Sequence, residues 1–125
     1  LGEQVANAVR RIALQEVLIL TWRMVEAANR YVQETAPWEL ARAQKAGSAQ
    51  AEERLATVLY NLVDVLRLLG YIVEPVMPRK ARELVKQLGL EFDPSAGWQT
   101  FTTVGTYPAG TLLAPGEVLF PRFEQ

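Results

Sequence analysis

The sequence predicts an all-α fold, namely an antiparallel helix bundle with an irregular C-terminal strap packed back on it. Apolar residues recur at helical spacing over most of residues 1–90. Pro37 and Pro78 stand where helices can begin, and Gly89 stands where one can end. After Leu90, glycine, proline and threonine become frequent and the helical period stops. We therefore expect a single domain over 1–125, with the bundle in 1–90 and the strap in 91–125.

The first two helices are predicted from about Glu3 to Ile12 and from about Leu14 to Glu34. The second has an apolar stripe on each of two sides: Leu14, Leu18, Trp22, Val25 and Val32 on one, and Val17, Leu20, Met24, Ala28 and Tyr31 on the other. A helix of this kind packs against neighbours on both sides. Trp22 is therefore expected in the core. Asn29 lies on the same stripe as Trp22, so we expect it to be hydrogen-bonded and to pin the helix end, with support of a binding site as the alternative.

The next helix is predicted from Pro37 to about Gln44, because proline fits the first turn of a helix. Pro37 takes Trp38 out of the preceding apolar stripe and places it at a helix end. The residue pattern leaves two interpretations of Trp38 open. The ring is either a packing anchor, as most helix-end tryptophans are, or a platform for a flat ligand such as a base.

Two further helices complete the predicted bundle. The fourth helix is predicted from about Ala51 to Val73, with its buried stripe at Leu55, Val58, Leu59, Leu62, Leu66, Leu69 and Val73. Gly70 lies inside this pattern, where it either admits a close helix or is a weak point. The fifth opens at Pro78 and directs Ala81, Leu84, Val85 and Leu88 inward. Beyond it, the apolar run from Val118 to Phe123 is expected to dock on the helices.

The composition excludes several classes of function. The 125 residues include no histidine and no cysteine, which removes the commonest general base, the commonest metal ligand and thiol chemistry. The sequence has no glycine-rich phosphate loop, no zinc-ligand spacing and no uninterrupted apolar run long enough for a membrane span. We therefore expect no catalytic residue, no metal and no cofactor in this chain. A net charge of −1 argues against a protein that coats nucleic acid, but less against one that stacks a few exposed bases.

Two parts of the sequence are distinctive: Asn29-Arg30-Tyr31 followed by Ala36-Pro37-Trp38, and the closing segment Leu119-Phe120-Pro121-Arg122-Phe123-Glu124. In order and spacing they resemble the anticodon-binding domain of methionyl-tRNA synthetases, a class I family in which the second segment is the closing signature. The stretches Glu53 to Tyr60, Glu74 to Pro78 and Tyr107 to Gly110 are similar to other parts of the same domain. Together these segments cover most of the chain.

The resemblance implies a function and a site. It implies a helix bundle that binds the anticodon loop of methionine tRNA and recognises its CAU triplet. Trp38 would stack on the cytosine, Pro37 would shape that platform, and Arg122 would lie near the anticodon. The parent protein would be a cytoplasmic, ATP-dependent methionine–tRNA ligase whose catalytic domain is the partner of this one.

The chain departs from the family pattern at one point. The family has an asparagine and an arginine four residues apart on an earlier helix, and these also contact the anticodon. Asn7 and Arg11 have that spacing but lie too close to Trp38 in sequence, so we expect the true motif to precede Leu1. We therefore expect a C-terminal fragment that cannot aminoacylate alone. The rival interpretations are the equivalent domain of a valine, isoleucine or leucine synthetase, and a helical protein-interaction module without RNA binding.

Overall fold

The computed structural model describes residues 1–11, 13–97, 99 and 103–122. Over these residues the chain forms five helices and no strand. They are α1 (Gly2–Arg10), α2 (Leu14–Thr35), α3 (Pro37–Lys45), α4 (Ala49–Val73) and α5 (Pro78–Gln87). The all-α prediction is confirmed, and each helix begins and ends close to its predicted position.

The residues divide into two compact units, Leu1–Val65 and Leu66–Gln125. Helix α4 contributes its first part to the first unit and its last part to the second. Each unit has its own buried residues and is described by itself. The expectation that residues 1–125 act as a single domain stays a prediction.

The first unit is built on the packing of α1 against α2. Its buried apolar side chains are Val5, Ala8, Val17, Ala51 and Val58. The side-chain amide of Asn61 on α4 donates to the hydroxyl oxygen of Tyr31 on α2, over 3.0 Å. This bond joins two residues thirty positions apart in sequence, and it ties the C-terminal half of α2 to α4.

The predicted burial of one stripe of α2 is wrong for its first three residues. Leu14, Leu18 and Trp22 are exposed, Trp22 to 64%. The buried residues of α2 are Val17 and Thr21, and Val25 and Val32, farther along the predicted stripe, are half-buried. Within this unit the stripe is therefore uncovered at its N-terminal part and partly covered at Val25 and Val32. Leu59 and Leu66 of α4 were also predicted to be buried and are exposed.

The second unit packs the end of α4 against α5. A Cβ atom at Gly70 would lie 2.9 Å from Cγ2 of Val85, closer than real Cβ atoms approach their neighbours. Gly70 therefore admits a close helix, which decides between its two interpretations. The buried apolar residues of this unit are Leu68, Leu69, Ile72, Ala81, Val85, Leu88 and Tyr107. The inward face predicted for α5 is confirmed at Ala81, Val85 and Leu88.

The strap packs back on the helices of the second unit through hydrogen bonds. The Tyr107 hydroxyl donates to the Leu88 carbonyl oxygen over 2.8 Å, and the Ala114 amide donates to the Gln87 carbonyl oxygen over 2.9 Å. The guanidinium of Arg67, which is buried, donates to the Thr103 carbonyl oxygen over 2.7 Å. The first two bonds satisfy carbonyl groups at the C-terminus of α5, where a helix lacks internal partners.

The ends of the strap differ in how well they are covered. At its start, the Phe92 ring stacks on Tyr71 with the ring centres 4.8 Å apart. The hydroxyl and the amide of Ser95 donate to the Asp93 carboxylate, and these bonds lower the pKa of Asp93. At its end, Val118 and Phe120 are exposed, so the burial expected of this apolar run is not found at either residue, although the Phe120 ring lies beside Lys80 of α5. Phe123, the last residue of that run, lies outside the described residues.

One helix in the described part of the chain, Ala49–Val73, is long and apolar enough to cross a membrane by length and composition alone, with a mean hydropathy of 1.5. A core helix of a soluble protein passes the same test. This helix also carries Asp64 and Arg67, whose side chains are both buried in the fold.

Candidate nucleic-acid interface

The junction between α2 and α3 fixes the position of Trp38. Helix α2 ends at Thr35, and Ala36 follows in the left-handed conformation with φ 42° and ψ 64°. The Ala36 amide still bonds to the Val32 carbonyl oxygen over 3.0 Å. Pro37 then opens α3 at its first turn, where its missing N–H would have no partner in the helix. The chain therefore reverses direction sharply over two residues.

Ala36 is the only residue other than glycine with a positive φ among those described. For an alanine this conformation costs about 1–2 kcal/mol, because Cβ crowds the following carbonyl oxygen. Glycine is the usual residue at such a position. Backbone strain of this kind concentrates at functional sites. Here it lies directly before Pro37 and Trp38.

Trp38 occupies the first turn of α3 and is 46% exposed. Within the described part of the chain its ring makes no hydrogen bond or stacking contact with another side chain. On the next turn, the Arg42 guanidinium pairs with the Glu39 carboxylate over 2.9 Å at the surface. The indole is thus a half-open flat surface on a rigid helix start, and the complete burial expected of a packing anchor is not found.

Asn29 is exposed, so its predicted place on a buried stripe is wrong. The error follows from α2, whose stripe through Trp22 faces outward. Among the described residues, no hydrogen bond to the Asn29 side chain is found, and pinning of the helix end falls instead to Tyr31 and Asn61. An exposed amide near the end of α2 is available to a ligand, and its role in binding stays a prediction.

Arg122 lies in the second unit, on the strap, and is exposed. The structure brings Pro37 and Trp38 together as neighbours in the first unit. Whether Arg122 shares a site with Trp38 stays a prediction.

The side chains of Asn7 and Arg11 contact residues close to them in sequence. The Asn7 carboxamide oxygen accepts a hydrogen bond from Arg10 over 2.8 Å. The Arg11 guanidinium pairs with the Glu16 carboxylate. Both contacts are at the surface, and whether the family's anticodon-reading pair precedes Leu1 stays a prediction.

One exposed aromatic group was missed at the sequence level. The ammonium nitrogen of Lys80, on the first turn of α5, lies 5.8 Å from the centre of the Phe120 ring. Phe120 is 63% exposed and belongs to the closing signature. The signal that could have found this pair is the run Pro78-Arg79-Lys80, which places two cations at a helix start, where acidic residues are favoured.

The described residues include no group of three or more histidine, cysteine, aspartate or glutamate side chains that could hold a metal ion. In each unit, exposed rings can stack on bases and exposed cations can contact phosphates.

The all-α architecture and the exposed tryptophan at a helix start fit the class of helical anticodon-binding domains. The family model described as the anticodon binding domain of methionyl tRNA ligase matches residues 5–125. The chain belongs to this family.

Curated relatives agree with this assignment. The chain is 35% identical over 124 residues to the methionine–tRNA ligase of Caldanaerobacter subterraneus subsp. tengcongensis, covering 99% of this chain and 18% of that protein. It is 33% identical to the enzyme of Clostridium acetobutylicum, with 99% and 18% covered. Against the enzyme of Deinococcus radiodurans, the identity is 35%, with 99% and 17% covered. The chain thus spans less than a fifth of the length of these relatives.

Proposed function

We propose that this chain binds the anticodon loop of methionine tRNA and recognises its CAU triplet, with Trp38 as the stacking platform for the cytosine. The observation that supports this most is the half-exposed indole at the start of α3, held by Ala36 and Pro37. Sequence-specific RNA-binding proteins splay single-stranded bases onto such aromatic planes. The rigid turn lowers the entropy lost when the ring is ordered against a base.

The other site residues have supporting roles in this proposal. Pro37 sets the entry of the chain into α3 and so the direction of the indole. Arg122 supplies a guanidinium, which can bind a phosphate or a base edge through two parallel hydrogen bonds. Asn29 offers an exposed amide to a base or a ribose.

We further propose that the chain works as part of a methionine–tRNA ligase. The matched relatives bear that name and are more than five times as long as the matched region. In this proposal a separate catalytic domain, the partner of this one, uses ATP to activate methionine, and the protein is cytoplasmic. The present sequence has no histidine and no glycine-rich phosphate loop. Methionine-dependent pyrophosphate exchange by this chain alone is therefore expected to stay at background.

The decisive experiment is a titration of the chain with two anticodon stem–loops, one carrying CAU and one carrying a scrambled triplet. Base stacking on an aromatic ring contributes about 1–3 kcal/mol, so Trp38→Ala should weaken CAU binding by roughly five- to more than a hundredfold. Trp38→Phe should restore part of the loss, because a smaller ring face remains. The melting temperature should change little.

Trp22→Ala is the matched control, because Trp22 is also an exposed tryptophan of the first unit. It should leave the affinity for the CAU stem–loop unchanged. If Trp38→Ala melts far below the wild-type chain yet binds CAU RNA normally when folded, Trp38 is a packing residue and the proposed site is wrong.

The exposed stripe Leu14, Leu18 and Trp22 favours a second candidate function, a protein-interaction surface. The same pair of variants separates the two functions. Binding of CAU RNA that is lost in Trp38→Ala and kept in Trp22→Ala supports the anticodon site. Absence of any preference for CAU in the wild-type chain supports an interaction module.

A further inference from the structure

We propose that Lys80, Phe120 and Arg122 form an additional RNA-binding surface in the second unit, one that contacts phosphates and an unpaired base without sequence preference. This inference rests on the proposed function, since it assumes that tRNA is the ligand. It adds two residues, Lys80 and Phe120, to the expected contact of Arg122.

The first argument is the distribution of charge. The whole chain has a net charge of −1, but the ten residues of α5 include four cations and one anion. The first turn of α5 has no acidic residue, whereas the first turns of α1 to α4 each have one. Cations at a helix N-terminus oppose the helix dipole, so this arrangement costs stability locally. Proteins accept such local conflicts mainly at functional or strained sites.

The second argument is the path of the strap, which brings Phe120 to this helix start. The Gln87 side-chain amide donates to the Glu117 carbonyl oxygen over 2.9 Å, near the C-terminus of α5. A Cβ atom at Gly116 would lie 3.1 Å from the Glu83 carboxylate, one turn earlier. Phe120 then lies beside Lys80 on the first turn. The strap thus follows α5 back toward its N-terminus and places an aromatic ring among the cations.

The third argument is the chemistry of the Lys80 and Phe120 pair. An ammonium group 5.8 Å from a ring centre is attracted by the ring electrons, which orients both groups. The exposed ring can stack on any base, and the ammonium can bind a phosphate as a point charge. Arg122 follows two residues later, and two extended residues span about 7 Å, so its guanidinium is within reach of the same strand of RNA.

Another cation and ring in the same unit show what a structural pair looks like. The Arg82 guanidinium lies 5.1 Å from the Phe92 ring centre and pairs with the Glu74 carboxylate over 3.5 Å. Phe92 also stacks on Tyr71, so these side chains serve the fold. Lys80, by contrast, has no ion-pair partner among the described residues, and Phe120 is largely open to solvent.

Glu83 is an anion on the same helix as Lys80. Together with Arg79 and Lys80, it lines a shallow depression of about 490 Å³. Its carboxylate accepts a weak hydrogen bond from the Gln87 side chain over 3.4 Å, on the side toward the C-terminus of α5. The two cations therefore outnumber the single carboxylate in the depression.

The test measures the affinity of the chain for both stem–loops, CAU and scrambled, with variants of this surface. Phe120→Ala should weaken the binding of both RNAs by a similar factor, roughly five- to a hundredfold for the loss of one stacked base. Lys80→Gln should weaken both and lower the slope of log affinity against log salt by about one phosphate contact. The wild-type slope should correspond to only about one to three phosphates, since the net charge is near zero.

Two matched controls lie on the same elements. Val118→Ala removes an exposed apolar group of the strap, and Lys86→Gln removes an exposed cation from the last turn of α5. Both should leave RNA affinity within twofold. Circular-dichroism melting of every variant separates a loss of contact from a loss of fold.

The outcomes separate this proposal from the proposed function. A uniform loss in Phe120→Ala, with a CAU-selective loss in Trp38→Ala, supports both. Equal binding of both RNAs, unchanged by Trp38→Ala but weakened by Phe120→Ala, supports this surface and overturns the anticodon function. Unchanged RNA affinity in Phe120→Ala and Lys80→Gln overturns the surface and leaves the anticodon function standing. If these two variants keep their RNA affinity but lose binding to vesicles of phosphatidylserine and phosphatidylcholine, the surface is a membrane contact instead.

Discussion

Trp38 and Phe120 are both exposed aromatic rings, but different forces hold them in place. Trp38 is positioned by the backbone of its own segment, through the left-handed Ala36 and the fixed φ of Pro37. Phe120 is positioned by a strap whose contacts with α5 come from residues thirty or more positions earlier in the sequence. The position of Trp38 thus depends on residues next to it in sequence, whereas the position of Phe120 depends on tertiary contacts with α5.

The largest loss of stability is expected from a substitution that disturbs the packing of the strap against the end of α5. Gly89 has φ +76°, and a Cβ atom there would press against the Leu112 carbonyl and lie 2.9 Å from the Thr111 methyl group. The left-handed conformation and the overpacking should together cost about 2–5 kcal/mol in Gly89→Ala. Thermal or urea unfolding measures this loss.

Gly47→Ala is the control for that prediction. Gly47 has φ +94°, but a Cβ atom there would meet nothing within 4 Å. It should therefore lose only the conformational part, about 1–2 kcal/mol. Equal losses in the two variants would mean that the strap does not press on Gly89. Folded Gly89→Ala should still prefer CAU, because Trp38 is held by its own backbone.

The positions of the Trp38 and Phe120 rings can be predicted from the sequence to very different degrees. Pro37 and Trp38 are adjacent, and the effect of proline on the next helix is local, so the position of the indole followed from the order of residues. The neighbours of Phe120 are set by tertiary hydrogen bonds of Gln87 and Tyr107, which leave no periodic signal. Helix bounds were predictable for the same reason as Trp38, because caps and prolines act locally.

The burial pattern of α2 shows what helical periodicity cannot predict, namely which apolar side of the helix is covered. The spacing of Trp22 and Asn29 correctly placed them on one stripe of the helix. It could not show that the N-terminal part of this stripe is exposed, since an apolar side chain has the same spacing whether it is covered or exposed. Which of two apolar sides is packed depends on elements far away in the sequence.

The second-largest loss of stability is expected from a substitution that removes a hydrogen bond of the strap without introducing a steric clash. The buried Tyr107 hydroxyl donates to the Leu88 carbonyl oxygen at the end of α5. Tyr107→Phe keeps the ring and leaves that carbonyl without this donor, which should cost about 1–3 kcal/mol of unfolding free energy. Thr106→Val removes an exposed hydroxyl bond to the Thr103 carbonyl and should cost less than half as much. A loss in Thr106→Val as large as that in Tyr107→Phe would contradict the assignment of Tyr107 as the buried attachment.

A smaller effect, of opposite sign, tests the backbone that holds Trp38. Ala36→Gly relieves the left-handed strain, and part of that gain is offset by the greater freedom of glycine in the unfolded chain. We expect a net stabilisation of up to about 1 kcal/mol, measured as a higher urea midpoint at an unchanged slope. Affinity for the CAU stem–loop should stay within twofold, because Pro37 keeps its place at the first turn of α3. A loss of stability would show that Ala36 is not strained.

The smallest effect on stability is expected at Asn29, where the sequence-based interpretation and the structure disagree most. If Asn29 pinned the end of α2 from a buried position, Asn29→Ala would lose a hydrogen bond worth about 0.5–1.5 kcal/mol. Because the side chain is exposed, the change should instead stay within about 0.5 kcal/mol. Asn61→Ala, which removes the bond to Tyr31, serves as the comparison and should show the larger loss of unfolding free energy.

If Asn29 contacts RNA beside Trp38, Asn29→Ala should weaken CAU binding by about two- to tenfold while leaving the melting temperature unchanged. Unchanged affinity together with unchanged melting would remove Asn29 from the site and leave recognition in the first unit to the rigid turn at Ala36, Pro37 and Trp38.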